Sequence, residues 1–327
     1  MRNLITIAEL QRAELEAFLD RAETFAEVAG RRIKKVPALR GSTVVNLFYE
    51  ASTRTSSSFE LAAQRLSADV VTIRAAGSSV EKGESLKDTI RTLSAYDPSA
   101  IVIRHPNSGA PALVAGWTDA AVVNAGDGKH AHPTQALLDL FVLRRARGQL
   151  DGARVLVVGD IRHSRVARSL IRALTLAGAT ADVCAPATLV PVGIQELGVS
   201  ATYQDLASAV AGGPYDAVYA LRIQRERAED GSIPSLESWV RRYQVTPEQL
   251  KALGARFLMH PGPVNRGVEL SGAAIDAPGS LIEAQVRAGV AVRMAVLYEL
   301  LATPAVADGA AGASEAAEGL EEMAVEA

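Results

Sequence analysis

Apolar runs too short for helices alternate along this chain with longer helical patterns, and that alternation restricts the fold to the α/β class. The runs cover residues 43–48, 69–73, 100–103, 121–124, 155–158, 181–184, 217–220 and 256–259. Between them, residues 59–66, 85–93, 133–147 and 166–177 carry apolar side chains three and four apart, and several of these segments begin beside Ser, Thr, Asp or Pro. Right-handed crossovers between successive runs make the strands mostly parallel.

A chain of 327 residues is too long for one hydrophobic core. The helical segment 133–147, followed by Gly148 and Asp151-Gly152, parts four runs from four more. The expectation is two doubly wound domains, each a mostly parallel sheet flanked by helices, with the active site in the interdomain cleft. Residues 1–134 form the first domain, 135–149 a connecting helix and 150–284 the second domain, while a last helix at about 285–303 packs back on the first. From 304 to 327 the chain turns to Ala, Gly and Glu, which cannot bury enough surface to offset the entropy of ordering; this acidic tail is expected to be disordered.

Composition limits the partners. Apolar residues at 48%, charged residues at 22% and a net charge of -3 describe a globular chain, not a nucleic-acid binder, so any positive field is local. Cys184 is the only cysteine, which excludes an intrachain disulfide and a cysteine-zinc cluster and fits a reducing, cytoplasmic setting. Residues 1–20 hold scattered charges without the apolar core of a leader, and no apolar run reaches membrane-spanning length.

Where the apolar runs stop, cations and amides collect: Ser52-Thr53-Arg54-Thr55, Arg104-His105-Pro106, His132-Pro133-Thr134-Gln135 and Arg222-Ile223-Gln224. Ligands of open parallel sheets bind at the carboxyl ends of strands, so these groups point to one anionic substrate site for phosphate and carboxylate. On the residues alone, two readings of the segment after Phe48 stay open. Either Ser52 or Thr53 caps a helix and Arg54 is solvated, or the free N–H groups, hydroxyls and guanidinium form a phosphate nest. Val157-Val158-Gly159-Asp160 lacks the three-glycine spacing of a dinucleotide loop, so no NAD site is expected, and no cofactor or metal is implied.

Ser-Thr-Arg-Thr, then Ser58-Phe59-Glu60, Lys82-Gly83-Glu84-Ser85, His-Pro-Thr-Gln, Arg222-Ile223-Gln224-Arg225-Glu226-Arg227 and His260-Pro261-Gly262-Pro263 follow one another in a set order. In these motifs, from about Leu4 to Leu301, the chain resembles the catalytic chains of the aspartate carbamoyltransferase family. The resemblance implies transfer of the carbamoyl group of carbamoyl phosphate to the amino group of L-aspartate, giving N-carbamoyl-L-aspartate and phosphate in de novo pyrimidine biosynthesis. It implies that Arg54, Thr55, Arg104 and His132 are catalytic, with Ser52 and Thr53 assisting at the same helix start and Gln135 binding the carbamoyl group. Arg165 and Arg222 take the aspartate carboxylates, Gln224 positions that substrate, and Gly262 and Pro263 contribute backbone.

Ser78 and Lys82 are implied to reach a neighbouring subunit's site, which makes the assembly a homotrimer with shared active sites. The chain could act alone, with a regulatory chain or with a dihydroorotase; the sequence does not choose. Ser56 stands where many relatives carry Arg or Lys, leaving one cation fewer near the phosphate. An ornithine carbamoyltransferase is the nearest rival, but it usually carries His-Pro-Cys-Gln and His-Cys-Leu-Pro, where this chain has Thr134 and Gly262-Pro263. A catalytically inactive binding or scaffold paralogue is the other, against which the intact set of Arg54, Arg104, His132, Arg165 and Arg222 argues.

Overall fold

The structure, a computed structural model, describes residues 2–74, 83–224 and 235–302. Ser78, Lys82 and the tail 304–327 lie outside the described residues. After α1 (Arg12–Gly30), the first half runs β1 (Thr43–Phe48), α2 (Thr53–Arg65), β2 (Asp69–Arg74), α3 (Leu86–Ser94), β3 (Ala100–His105), α4 (Ala110–Ala115) and β4 (Ala121–Asp127). Helix α5 (Pro133–Arg147) leads into β5 (Arg154–Val158), α6 (Arg165–Leu176), β6 (Thr180–Cys184), β7 (Val199–Tyr203), α7 (Leu206–Ala209) and β8 (Ala217–Ala220). The chain then continues through α8 (Leu236–Tyr243), α9 (Pro247–Ala252), β9 (Phe257–Met259), α10 (Gly272–Ile275) and α11 (Ile282–Leu301).

Every pairing between these strands is parallel. Two sheets result, ordered β2-β1-β3-β4 and β7-β6-β5-β8-β9, which is the expected pair of doubly wound α/β sheets. One strand was not among the expected runs. β7 is an edge strand whose residues alternate, Val199 buried and Ser200 and Thr202 exposed, so it never forms the continuous apolar stretch that marks a strand buried on both faces.

The direction of winding reverses between β1 and β3 in the first sheet and between β5 and β8 in the second. At such a reversal the helices on either side leave in opposite directions and open a crevice at the strands' carboxyl ends. Segments after these four strands are the ones rich in arginine. The site is thus placed by topology before any side chain is considered.

Helix α11 packs against α1, α2 and α5, and α5 also packs on α6, so these helices join the two halves. Eleven residues of α5, from Pro133 to Val142 and Leu143, are buried all round, as a helix covered on every side requires. Pro133 starts it and Gly148, at φ 101, ends it. Fully buried Phe59 anchors α2 to the core, a contribution of roughly 1.5–3 kcal/mol. Among the described residues no helix is long and apolar enough to cross a membrane.

Candidate active site

A cavity of about 760 Å³ opens between the two sheets, and the strand ends beside both reversals line it. From the first sheet come Ser52, Thr53, Arg54 and Thr55 after β1, Arg104 at the end of β3, and His132 and Gln135 at the start of α5. From the second come Arg165 at the start of α6, Arg222 and Gln224 after β8, and Gly262 and Pro263 after β9. Every expected site residue within the described chain therefore lines one cavity.

Helix α2 begins at Thr53, earlier than its apolar pattern suggests, because its first turn faces this cavity and carries hydroxyls and a guanidinium instead of core residues. Ser52 occupies the N-cap but its side chain makes no capping hydrogen bond, so the capping reading of this segment does not hold for Ser52. Unsatisfied N–H groups and the positive end of the helix face the cavity beside Arg54. Burial lowers the pKa of Arg54 from its ordinary value, yet a guanidinium keeps its charge. Ser56, by contrast, is buried and does not line the cavity.

The turn after β9 closes on this arginine. Gly262 has φ +66, and a Cβ there would sit 3.0 Å from Arg54 Cζ, so only glycine accommodates both the backbone and the neighbour. His260 Nδ1 accepts the Gly262 N–H at 2.8 Å, which fixes the turn from within.

Glu50 went unassigned in the sequence reading, although it lies inside the segment already marked. It accepts from Arg104 Nε at 3.2 Å and from Arg165 Nη2 at 2.7 Å, and so ties the end of β1 to the first residue of α6 across the cleft. Arg165 is 4% exposed and also donates to the Gly128 carbonyl at 3.2 Å. A carboxylate at a strand end among arginines was the signal available. On the second sheet, Asp160 is fully buried and accepts from His163 N and, at 3.4 Å, from Gln224 N, joining the loop after β5 to the loop after β8. Arg293 of α11, buried over the Phe59 ring, was missed as well and lines the same cavity.

His132 is 4% exposed and sits at the N-cap of α5 without capping it. Burial first, then Arg104, Arg165 and Arg293, push its imidazole well below the ordinary histidine value. A neutral ring can donate one N–H to a developing oxyanion but is a poor proton store, so His132 suits electrophilic polarisation better than general base catalysis. His132→Asn should lower kcat by about 10²-fold or more, the usual loss for one oxyanion donor. The folded state refuses a proton that the unfolded histidine accepts, so His132 contributes stability that is complete above about pH 6.5 and lost as the pH falls below it. Thermal unfolding of both proteins between about pH 4 and 7 should show the variant losing less stability on acidification; equal losses would mean that the imidazole is protonated in place.

Residues 2–145 match the family described as aspartate/ornithine carbamoyltransferase, carbamoyl-P binding domain, and residues 151–300 match its Asp/Orn binding domain. A curated relative from Clavibacter sepedonicus, an aspartate carbamoyltransferase catalytic subunit, is 53% identical over 318 residues, covering 94% of this chain and 100% of that one. Its counterpart from Acidothermus cellulolyticus is 50% identical and covers 98% of this chain and 99% of its own. Among solved structures, the catalytic subunit of M. jannaschii aspartate transcarbamoylase superposes with a TM-score of 0.80 at 34% identity, over 92% of this chain and 98% of that one. Aspartate transcarbamoylase from Trypanosoma cruzi, in complex with carbamoyl phosphate and aspartate, gives 0.81 at 30% identity over 92% and 97%.

Proposed function

The chain belongs to the aspartate/ornithine carbamoyltransferase family, and on that premise we propose that it transfers the carbamoyl group of carbamoyl phosphate to the amino group of L-aspartate. The products are N-carbamoyl-L-aspartate and phosphate, and the reaction serves pyrimidine biosynthesis in the cytoplasm. One observation carries this reading: four strand ends, two beside each topological reversal, deliver Arg54, Arg104, Arg165 and Arg222 to a single cavity.

The half with β1 to β4 binds carbamoyl phosphate. Its phosphate rests on the first turn of α2, among Ser52, Thr53 and Thr55, with Arg54 and Arg104 balancing its charge. The carbonyl oxygen faces His132, Thr55 and Arg54, and Gln135 takes the carbamoyl nitrogen. The half with β5 to β9 binds aspartate, whose two carboxylates suit the guanidinium forks of Arg165 and Arg222, with Gln224 and the Gly262-Pro263 backbone alongside. Neutral amine then attacks the carbonyl carbon, and the oxyanion of the tetrahedral intermediate draws on the donors already aimed at it. Collapse breaks the carbon–oxygen bond to phosphate, and the departing phosphate accepts the proton shed by the amine. No side chain is acylated.

Assaying the purified chain with carbamoyl phosphate and either aspartate or ornithine tests the acceptor. Carbamoylaspartate should form and citrulline should not; citrulline alone would move the chain to the ornithine branch, and no product with either would support an inactive paralogue.

A cyclic trimer with Ser78 and Lys82 reaching the neighbouring site belongs to the same proposal. Arg54→Ala and Lys82→Ala chains, each inactive alone, should regain activity when mixed and allowed to exchange. A statistical mixture leaves about one composite site in four intact. Verified exchange without recovery would rule out sharing.

A further inference from the structure

Asp139 is one turn beyond Gln135 on α5, 1% exposed, and is the only charged residue in the buried stretch 133–143. Its Oδ1 accepts from Gln135 Nε2 at 2.9 Å and from Gln285 Nε2 at 2.7 Å, and its Oδ2 accepts from the Tyr219 hydroxyl at 2.7 Å. One carboxylate thus holds α5, α11 and β8 together beside the cavity. Burial pushes its carboxyl up to about 7, while its three hydrogen bonds and Arg293 act in the opposite direction.

An ionised carboxylate only accepts, so each glutamine must turn its nitrogen toward Asp139 and its carbonyl away. For Gln285 the carbonyl meets the His260 N–H at 2.9 Å, at the root of the turn that abuts Arg54. For Gln135 the carbonyl has no hydrogen-bond partner among the described residues, and Gln135 lines the cavity. The group left facing the acyl donor is an acceptor.

Resting on the carbamoyl-transfer reading above, we propose that Asp139 is a positioning residue: by locking the Gln135 amide with its oxygen toward the substrate, it makes the cavity select an acyl phosphate bearing NH2 over one bearing CH3. Carbamoyl phosphate offers N–H donors to that oxygen. Acetyl phosphate, nearly the same in shape and charge, offers a methyl group and leaves a buried acceptor unsatisfied. Discrimination of this kind needs the orientation to be fixed, because an amide free to rotate would present its nitrogen to whichever ligand had no donor.

Asp139→Ala and Asp139→Leu both remove the acceptor that restrains Gln135, whereas Asp139→Asn would keep it, its oxygen on the two glutamines and its NH2 on the Tyr219 oxygen. In the Ala and Leu variants, at about pH 8.5, above the raised carboxyl pKa of the wild-type protein, the ratio of the acetyl phosphate inhibition constant to the carbamoyl phosphate KM should fall at least about tenfold. Inhibition by inorganic phosphate should change little. With Gln135→Met already present, the Asp139 substitutions should leave the ratio where it is, because the group through which they act is gone. A folded Asp139→Ala or Asp139→Leu variant with the wild-type ratio, or with both ligands weakened equally, would overturn the inference, as would failure of both to fold, which would leave Asp139 a purely structural role. Wild-type protein without carbamoyl transfer would instead defeat the functional reading itself.

Discussion

Arg54→Ala should lower kcat by about 10³-fold or more while the protein keeps its melting temperature within a few degrees. Cationic groups that stabilise charge on a departing phosphate contribute on that scale, because the preorganised charge acts in a site with little competing water. Arg54 is exposed to the cavity and pairs with no carboxylate among the described residues, so its removal should cost function and little stability. It also forms a wall, since the Gly262 backbone rests against its guanidinium. Arg54→Lys should therefore recover only part of the loss: an ammonium restores charge but neither the planar fork nor the wall. Steady-state kinetics with phosphate as a product inhibitor, together with thermal melts, would check both parts. Wild-type kcat in the alanine variant would remove Arg54 from the chemistry, and a large fall in melting temperature would assign it to the fold instead.

Arg165→Ala should have the next largest effect, directed at the acceptor. Arg165 is buried, donates to Glu50 at 2.7 Å and to the Gly128 carbonyl at 3.2 Å, and a Cβ on Gly126 would sit 3.0 Å from its Nε. Truncating one partner of a buried, hydrogen-bonded charge pair costs about 2–5 kcal/mol, or roughly 30-fold to several thousandfold. Most of that should appear in kcat/KM for aspartate, because on the proposed reading the substrate carboxylate loses its fork, and Glu50 is left leaning on Arg104 alone of the two. KM for carbamoyl phosphate should move much less. An equal rise in both KM values would show that Arg165 only holds the halves together.

How much of this was legible beforehand depended on the kind of residue. Strands buried on both faces, such as 43–48 and 155–158, announced themselves as apolar runs, and the arginines announced themselves by standing where those runs stop. β7 did not, because an edge strand shows one face to water and its pattern alternates. Nor could order along the chain reveal that the four arginine-bearing ends belong to strands flanking two reversals; that follows from the spatial order of strands, which a run of letters does not carry. Carboxylates were the other loss. Glu50, Asp139 and Asp160 hold cavity-lining residues in place, and a search for groups that bind anions passes over the carboxylates that orient those groups. Asp139 had left a trace, the lone charge in a run of apolar residues from Ala136 to Leu143.

The two sheets each send their own pair of strand ends into the cleft, and Glu50 ties the pairs together by accepting from Arg104 of one and Arg165 of the other. Mutation can vary the loop after β8 without breaking that tie. On the proposed reading, this loop can drift toward a new nucleophile while the loops after β1 and β3 go on gripping the old activated donor. A lineage built this way diversifies by exchanging what receives the group, leaving what delivers it untouched.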